Sequence, residues 1–240
     1  MVYGDKGAVR GIATGDMVVA RDGAHKSSYA RGMELLGKYT LFAEGARGSL
    51  SKQLIARFGL DAKSEPPKFG IGLKEVWQVD PPKYRKGLTQ HSFGLPLDNS
   101  NGGGSFLYHY DDDRVAIGFV VHLNYDDPYL SPFDEFQRFK THPSIRGVFE
   151  GGKRLAYGAR AITEGGYQSV PRLTFPGGAL IGCAAGFVNV PRIKGVHNAM
   201  GSARTAAAHV YAAIGAGRAK DEIGGYENAW RDSAVGVDRS

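Results

Sequence analysis

Glycine-rich turns that follow short apolar segments are the feature that most constrains the fold of this chain. Glycine fills 35 of 240 positions, about twice its usual share of ~7%. The clusters show no repeating period and lie at residues 102–104, 151–152, 165–166 and 177–178. Glycine lets the backbone turn sharply or approach a ligand closely. The spacing therefore favours a fold of short elements joined by tight turns.

Strand, glycine turn and helix follow one another at both ends of the chain. Residues 39–43 form a predicted strand that ends at Glu44-Gly45, and Ser49 and Ser51 are predicted to cap a helix that ends at Gly59. Residues 173–182 repeat the pattern of a strand followed by a glycine turn, and an alanine-rich helix is predicted over about 198–214. At the beginning, residues 9–19 read as a hairpin across Thr14-Gly15-Asp16.

The middle of the chain has a different pattern. Residues 70–79 alternate apolar and polar side chains, and residues 105–110 and 114–122 predict a hairpin across three aspartates, 111–113. Ser131-Pro132 predicts a helix start, with Phe133, Phe136 and Phe139 on a face packed against the sheet. Glu65-Pro66-Pro67 indicates a boundary. The predicted fold class is α+β (mixed α/β), a nucleotide-binding α/β domain interrupted by an antiparallel sheet domain.

Composition excludes several function classes. The single cysteine, Cys183, rules out an internal disulfide and a zinc or iron–sulfur site built from thiolates of this chain alone. The longest apolar run, 115–121, is far shorter than the ~20 residues of a membrane helix. The net charge of +6 is scattered, so we expect no nucleic-acid partner. No targeting segment is visible at the start.

The most informative motif is the glycine-rich passage from residue 182 to 200, which leaves a predicted strand and enters a helix. Such a passage directs backbone N–H groups and the positive end of a helix dipole at whatever lies above it. An anion or a reduced flavin ring fits there, and so does an ordinary strand–loop–helix connection. A near-match to a phosphate loop at 147–154 is rejected, because Arg154 replaces the required hydroxyl.

Five segments in order resemble the electron transfer flavoprotein–ubiquinone oxidoreductases: residues 42–48, 71–77, 103–109, 127–133 and 189–195. The resemblance runs from about Gly4 to Ala213. It implies a peripheral enzyme of the mitochondrial inner membrane or the bacterial cytoplasmic membrane. Such an enzyme passes electrons from reduced electron transfer flavoprotein, through FAD and a [4Fe–4S] cluster, to ubiquinone. The family's dinucleotide fingerprint and cluster cysteines lie outside the matched region, so this chain resembles a central fragment.

The resemblance also implies site residues. Gly103 and Gly104 match the paired glycines at the quinone headgroup, although a plain hairpin turn explains them as well. No residue is assigned a catalytic proton transfer or a metal. The resemblance assigns the FAD site to ten residues: Glu44, Gly45, Gly182, Gly186, Asn189, Val190, Pro191, Gly195, His197 and Asn198. Glu44 has the alternative of capping a turn.

Four regions follow from the resemblance. Residues 1–62 are predicted as part of the FAD-binding domain, 63–168 as the inserted ubiquinone-binding domain, 169–217 as the return to the FAD-binding domain, and 218–240 as the start of a linker or C-terminal region. Leu95 stands where the family usually has tryptophan. Phe93, Leu95 and Leu97 are expected either to touch a bilayer or to pack in the insert's core.

Two other functions remain open at this point. A flavin-dependent isoprenoid reductase of the geranylgeranyl type shares the flavin architecture and reduces a carbon–carbon double bond. A truncated, non-catalytic fragment is the third possibility. Since pyrophosphate binding in such folds depends on the first βα turn, we expect weak or no FAD retention.

Overall fold

The computed structural model describes residues 1–98 and 100–237. The chain forms two compact units. Unit 1 combines Met1–Pro66 with the residues from Gly165 onward, and unit 2 is Pro67–Glu164. The predicted boundaries at 62/63 and 168/169 each lie four residues from those of the structure.

Unit 1 contains short strands and four α-helices among the described residues. Its strands are β1 (Val2–Tyr3), β2 (Val9–Ala13), β3 (Met17–Val19), β4 (His25–Ala30), β5 (Glu34–Leu36), β6 (Thr40–Phe42), β12 (Thr174–Phe175) and β13 (Gly178–Leu180). Its helices are α1 (Ser49–Phe58), α4 (Val196–Gly215), α5 (Tyr226–Arg231) and α6 (Ala234–Val237).

Strand pairing in unit 1 joins the two ends of the chain. The last strand, β13, runs parallel to β6, with Leu180 opposite Phe42, and antiparallel to β12. The predicted hairpin over residues 9–19 is wrong: β2 pairs with β1 and β5, whereas β3 pairs with β4. Turn residues locate a reversal of the chain, but the choice of partner strand depends on contacts distant in sequence.

Helix α1 has the predicted length but a different cap. It ends at Gly59, whose φ of 56° is the left-handed conformation typical of a helix C-terminus. At its beginning, the N-cap residue is Gly48, which has no side chain, and Ser51 lies inside the helix. The Glu44 carboxylate instead accepts hydrogen bonds from the Leu50 and Ser51 amides.

The last described residues are part of the unit 1 core. Ile223, Tyr226 and Trp230 are buried, and the Trp230 ring packs on Phe187 with centroids 5.1 Å apart. The Tyr226 hydroxyl donates to the Leu180 carbonyl. The region predicted as the start of a linker therefore contributes large side chains to the same core as β12 and β13.

Unit 2 is one antiparallel sheet with two short helices packed on it. The sheet order is β11-β7-β10-β9-β8, which confirms the predicted antiparallel insert. The strands are β7 (Phe69–Gln78), β8 (Thr89–Ser92), β9 (Gly103–Tyr110), β10 (Arg114–His122) and β11 (Lys153–Thr163), and the helices are α2 (Pro132–Lys140) and α3 (Pro143–Phe149).

The helices cover one face of this sheet. Alternate residues of β10 are fully buried, namely Val115, Ile117, Phe119 and Val121. The Phe119 ring stacks on Phe136 and Phe139 of α2, with centroids 6.3 and 5.6 Å apart. Phe133 is 56% exposed, so its predicted place on the packed face is wrong. It lies in the first turn of α2, where the helix has not yet met the sheet.

The opposite face is rich in glycine. Because side chains alternate along a strand and cross-strand partners share a face, the register places these residues together; we call them the glycine face: Gly70, Gly72, Gly104, Gly118 and Gly158. Three rows cross the sheet there. One of them runs from Ile162 through Gly70 to His122, and Gly102 continues it beside β9.

Candidate functional site

The predicted quinone glycines lie at the beginning of β9. Gly103 pairs with Val121 and Gly104 with Val120. A Cβ on Gly103 would overlap the Val120 carbonyl and lie 2.5 Å from Leu97 Cδ1. Packing alone therefore requires glycine at position 103. The prediction that these two glycines contact a quinone stays a prediction.

Strand geometry gives Gly103 a distinctive backbone direction. The His122 amide donates to the Gly102 carbonyl, and the His109 amide donates to the Leu88 carbonyl on the other side of β9. Since peptide groups alternate in direction along an antiparallel strand, Gly103 points to the same side as His109. Strand β8 ends its pairing at Ser92, opposite Ser105. The Gly103 peptide thus lies beyond the last pair of β8 and β9 and points away from β10.

A half-buried histidine and a buried glutamate lie beside this turn, and sequence reasoning missed both. His122 Nε2 is 3.0 Å from Glu164 Oε2, and the Glu164 side chain is 5% exposed. Burial raises the pKa of Glu164 to about 7, against the lowering effect of the Lys68 ammonium. Burial lowers the pKa of His122, and Lys68 adds to that effect. The sequence pattern predicts only that His122 is the last residue of a strand, and it indicates no functional role for this side chain.

The predicted flavin loop combines tight backbone with a helix start. Residues Gly182–Ala185 form a 3₁₀ helix that ends at Gly186, whose φ is 78°. Gly182 also has a positive φ, 58°, and its amide donates to the Ser202 hydroxyl. These two glycines adopt a conformation that other residues rarely adopt, which explains their presence without a ligand as well as with one.

The passage then turns into α4. The amides and carbonyls of Asn189 and Lys194 pair with each other, closing a short loop that contains Val190 and Pro191. Helix α4 begins after Gly195, an N-cap without a side chain. His197 is exposed and Asn198 is buried in its first turn. A 20-residue helix with such a start presents backbone N–H groups and a positive dipole end, which fits the anionic edge of a reduced flavin.

Glu44 and Gly45 lie between β6 and α1. The Glu44 carboxylate also accepts from the Ser51 hydroxyl, at 2.6 Å. Burial raises the pKa of Glu44, but the hydrogen bonds from Ser51 and Leu50 outweigh it and hold the pKa below its ordinary value. Gly45 has a φ of 76°. The arrangement supports the capping alternative for Glu44, and the FAD contact of this turn stays a prediction.

The residues present do not fit an iron–sulfur cluster. Such clusters are held by several thiolates, commonly four, and this sequence has one cysteine. Among residues 1–98 and 100–237, no group of three or more His, Cys, Asp or Glu side chains is arranged to hold a metal ion. We therefore derive no step through a cluster in this chain.

The three apolar side chains that precede the predicted quinone glycines, those of Phe93, Leu95 and Leu97, differ in their exposure. Phe93 and Leu95 are 91% and 67% exposed, whereas Leu97 is buried. The structure thus places Leu97 in the unit 2 core and leaves the other two side chains at the surface. Within the part of the chain that the structure describes, none of the helices has the length and apolarity needed to cross a membrane.

Comparison of the sequence with known proteins gives a consistent result. A family profile described as "ETF-QO, ubiquinone-binding" matches residues 69–162. The human mitochondrial electron transfer flavoprotein–ubiquinone oxidoreductase is 55% identical over 213 residues, which are 88% of this chain and 34% of that protein. The Pseudomonas aeruginosa protein of that name is 51% identical over 231 residues, 95% of this chain and 42% of the relative.

Solved structures support the fold. A geranylgeranyl bacteriochlorophyll reductase-like protein from Thermoplasma acidophilum superposes with a TM-score of 0.65, at 18% identity, over 87% of this chain and 49% of its own. A triple mutant of the flavin-dependent brominase Bmp2 gives a TM-score of 0.60, at 16% identity, over 96% of this chain and 53% of its own. These superpositions, together with the mixed helices and antiparallel sheets of this chain, confirm the predicted fold class.

The chain spans 34–42% of the length of these oxidoreductase relatives. Its match covers most of its own residues, and the family's ubiquinone-binding region coincides with unit 2. The relatives are named as oxidoreductases, in agreement with the predicted enzyme class. The chain is thus homologous to a segment of the electron transfer flavoprotein–ubiquinone oxidoreductase family, as its ordered motifs predict.

Proposed function

We propose that this chain carries the quinone-binding part and the flavin-ring part of an enzyme that transfers electrons from reduced electron transfer flavoprotein to ubiquinone. The observation that carries the proposal is the coincidence of two boundaries. The family's ubiquinone-binding profile covers residues 69–162, and unit 2 folds around its own core from Pro67 to Glu164. A region that recurs as a unit in the family and folds as a unit here is suited to hold one ligand.

The ubiquinone headgroup is proposed to bind at Gly103 and Gly104. A quinone is flat and neutral, and its carbonyl oxygens accept hydrogen bonds. The Gly103 peptide, which lies beyond the last pair of β8 and β9, offers an N–H in the plane of the sheet. Electron transfer itself needs no general acid or base at the flavin, so proximity and cofactor potential are the protein's contribution.

The FAD ring is proposed to face the loop that runs from Gly182 to Gly195 and the start of α4. FAD supplies a centre that accepts and releases two electrons. The positive end of the α4 dipole would stabilise negative charge on the reduced ring. Gly182 and Gly186 would allow the ring to approach the backbone closely. In the whole family a [4Fe–4S] cluster is an expected further carrier, with ligands that this chain does not supply.

The partners proposed are electron transfer flavoprotein, ubiquinone and the surface of a membrane. Exposed Phe93 and Leu95 support contact with a bilayer, where ubiquinone resides. Since the relatives include mitochondrial and bacterial proteins, the proposed location is peripheral, on the mitochondrial inner membrane or the bacterial cytoplasmic membrane.

An isoprenoid reductase is the second candidate. It is kept as a candidate because this chain shares a fold with the geranylgeranyl bacteriochlorophyll reductase-like protein, at 18% identity. Likeness at that level concerns the fold alone. This activity reduces a carbon–carbon double bond, so incubation of the chain with reduced flavin and geranylgeranyl diphosphate, followed by mass spectrometry, distinguishes it. A product heavier by two hydrogens favours the reductase.

Quinone binding is tested by photoaffinity labelling of the purified chain with an azido-substituted short-chain ubiquinone. We expect saturable labelling of the peptide that contains Gly103 and Gly104, and competition by unlabelled decylubiquinone. Labelling spread over both units without competition would exclude a specific site. The Gly147→Ala variant, whose change lies in an exposed part of α3, is the control and should be labelled as the wild type is.

Flavin binding is tested separately by quenching of FAD fluorescence. We expect quenching that saturates only above micromolar FAD, since this chain shows no G-x-G-x-x-G fingerprint for the pyrophosphate. Binding at micromolar concentration or tighter would contradict the expected weak retention.

A further inference from the structure

The pair formed by His122 and Glu164 has features that packing does not explain. Each side chain keeps one buried polar atom, His122 Nδ1 and Glu164 Oε2, without a hydrogen-bond partner among the described residues. His122 Nε2 and Glu164 Oε2 lie 3.0 Å apart, which is close enough for a proton to pass between them. Buried polar groups are normally satisfied, so an unsatisfied pair points to a role beyond stability.

The pair lies in a trough that glycine makes possible. A Cβ on Gly102 would overlap the imidazole ring, with Nδ1 as its nearest atom, and a Cβ on Gly70 would lie 2.7 Å from Glu164 Oε2. The ring thus rests on Gly102, and the carboxyl group rests on Gly70. His122 Nδ1 is therefore held next to the turn that leads directly into Gly103 and Gly104.

We propose that Glu164 and His122 form a relay that delivers a proton to the quinone bound at this turn. The inference rests on the proposed quinone site and assigns it a proton source. Reduction of a quinone to a quinol takes two electrons, supplied here by reduced flavin, and two protons. Glu164 gives its proton to His122 Nε2, while His122 releases the Nδ1 proton to the nearer quinone oxygen. Solvent then supplies two protons, one to Glu164 and one to the other quinone oxygen, and exchange with solvent returns the His122 proton from Nε2 to Nδ1.

The charge state of the pair suits this role. Burial raises the pKa of Glu164 to about 7, so its carboxyl group stays protonated up to near neutral pH. Burial also lowers the pKa of His122, which favours the neutral imidazole. A protonated acid beside a neutral imidazole is the arrangement in which a proton passes through the ring from one nitrogen to the other. Lys68, which precedes β7, acts on both groups, and Arg160 lies on the adjacent row of β11 on the same face.

The kinetic test uses the full chain with bound decylubiquinone and photoreduced FMN as the electron donor, with quinol formation followed by absorbance. In the wild type we expect the rate to fall above an apparent pKa near that of Glu164. In Glu164→Gln we expect a rate about 100-fold lower, little affected by pH, with quinone affinity unchanged. Glu150→Gln, an exposed carboxyl group that is 63% accessible, is the control.

A second measurement does not depend on turnover. Infrared titration of the quinone-free chain is expected to show a protonated carboxyl band that disappears near neutral pH, and that is absent in Glu164→Gln and shifted in His122→Gln. If the chain binds decylubiquinone but Glu164→Gln keeps the wild-type rate and pH profile, the relay is wrong while the quinone site stands. If decylubiquinone does not bind at all, the proposed function itself fails, and the relay with it.

Discussion

The Glu75 carboxylate lies 2.8 Å from the Lys140 ammonium where β7 meets α2, and Glu75 is only 3% exposed. Two further donors complete the site: Trp77 Nε1 at 2.7 Å and Arg154 at 3.2 Å. Burial raises the pKa of Glu75, but these partners outweigh it and hold the pKa below its ordinary value. This satisfied cluster fastens α2 to the sheet, in contrast to the unsatisfied pair of His122 and Glu164.

Removing one partner of the buried cluster is expected to be costly. Lys140→Met leaves Glu75 with less compensation for its burial, so we expect the free energy of unfolding to fall by about 3 kcal/mol, measured by urea denaturation. Arg146→Met removes a pair with Glu150 in which both side chains are more than 60% exposed, and no measurable change is expected there. Equal losses in the two variants would contradict this account.

Glu44 is expected to stabilise α1 through its cap. Glu44→Ala removes the acceptor for the Leu50 and Ser51 amides, and loss of such a cap costs about 1–2 kcal/mol. Glu44→Gln keeps one acceptor oxygen, so it should lose less. Thermal unfolding followed by circular dichroism measures both. Wild-type stability in Glu44→Ala would show that the hydrogen bonds are not needed at this helix start.

Glycine at position 103 is expected to be required for packing. In Gly103→Ala the new methyl group would overlap the Val120 carbonyl, so we expect a loss of about 1–3 kcal/mol in urea denaturation. Gly147→Ala adds a methyl group where no atom lies within 4 Å, in the helix α3. That control should be neutral or more stable by up to about 1 kcal/mol.

The stability of the chain should depend on pH through Glu164. Its folded pKa, about 7, lies above the ordinary value of 4.5, so the folded state holds a proton that the unfolded state has released. The stabilisation is complete below pH 4.5 and is lost as the pH rises to about 7. In Glu164→Gln, this decline in melting temperature should vanish. If both proteins show the same decline between these values, another group causes it.

Membrane contact is tested by flotation with liposomes. Leu95 is 67% exposed, so Leu95→Asp should leave the fold intact and reduce the fraction of protein that floats. Leu97 is 5% exposed, and Leu97→Asp should lower the melting temperature instead, because it buries a charge. Unchanged flotation of a folded Leu95→Asp protein would remove this segment from the proposed membrane surface.

Local signals predicted much of the fold. Ser131 and Pro132 set the start of α2, Gly59 set the end of α1, and the aspartates between β9 and β10 marked a hairpin. These features depend on neighbours in sequence. The packing of α2 was predicted only in part, because Phe133 lies one turn before the helix reaches the sheet.

The features that sequence could not predict depend on register between distant segments. The partners of β2 and β3 are chosen by pairing across the chain. His122 and Glu164 meet only because β10 and β11 flank β7 in one alignment, with Gly70 between them. No spacing rule links a histidine at the end of one strand to a glutamate after another.

The alternation along β10 has a genetic consequence. Odd-numbered residues from Val115 to Val121 supply the core under α2, and even-numbered residues, including Gly118 and His122, supply the glycine face. Inserting or deleting a single codon inside this strand would exchange the two sets beyond the change. Missense changes can therefore affect one face alone, whereas a one-residue indel in β10 disrupts the core and the glycine face together.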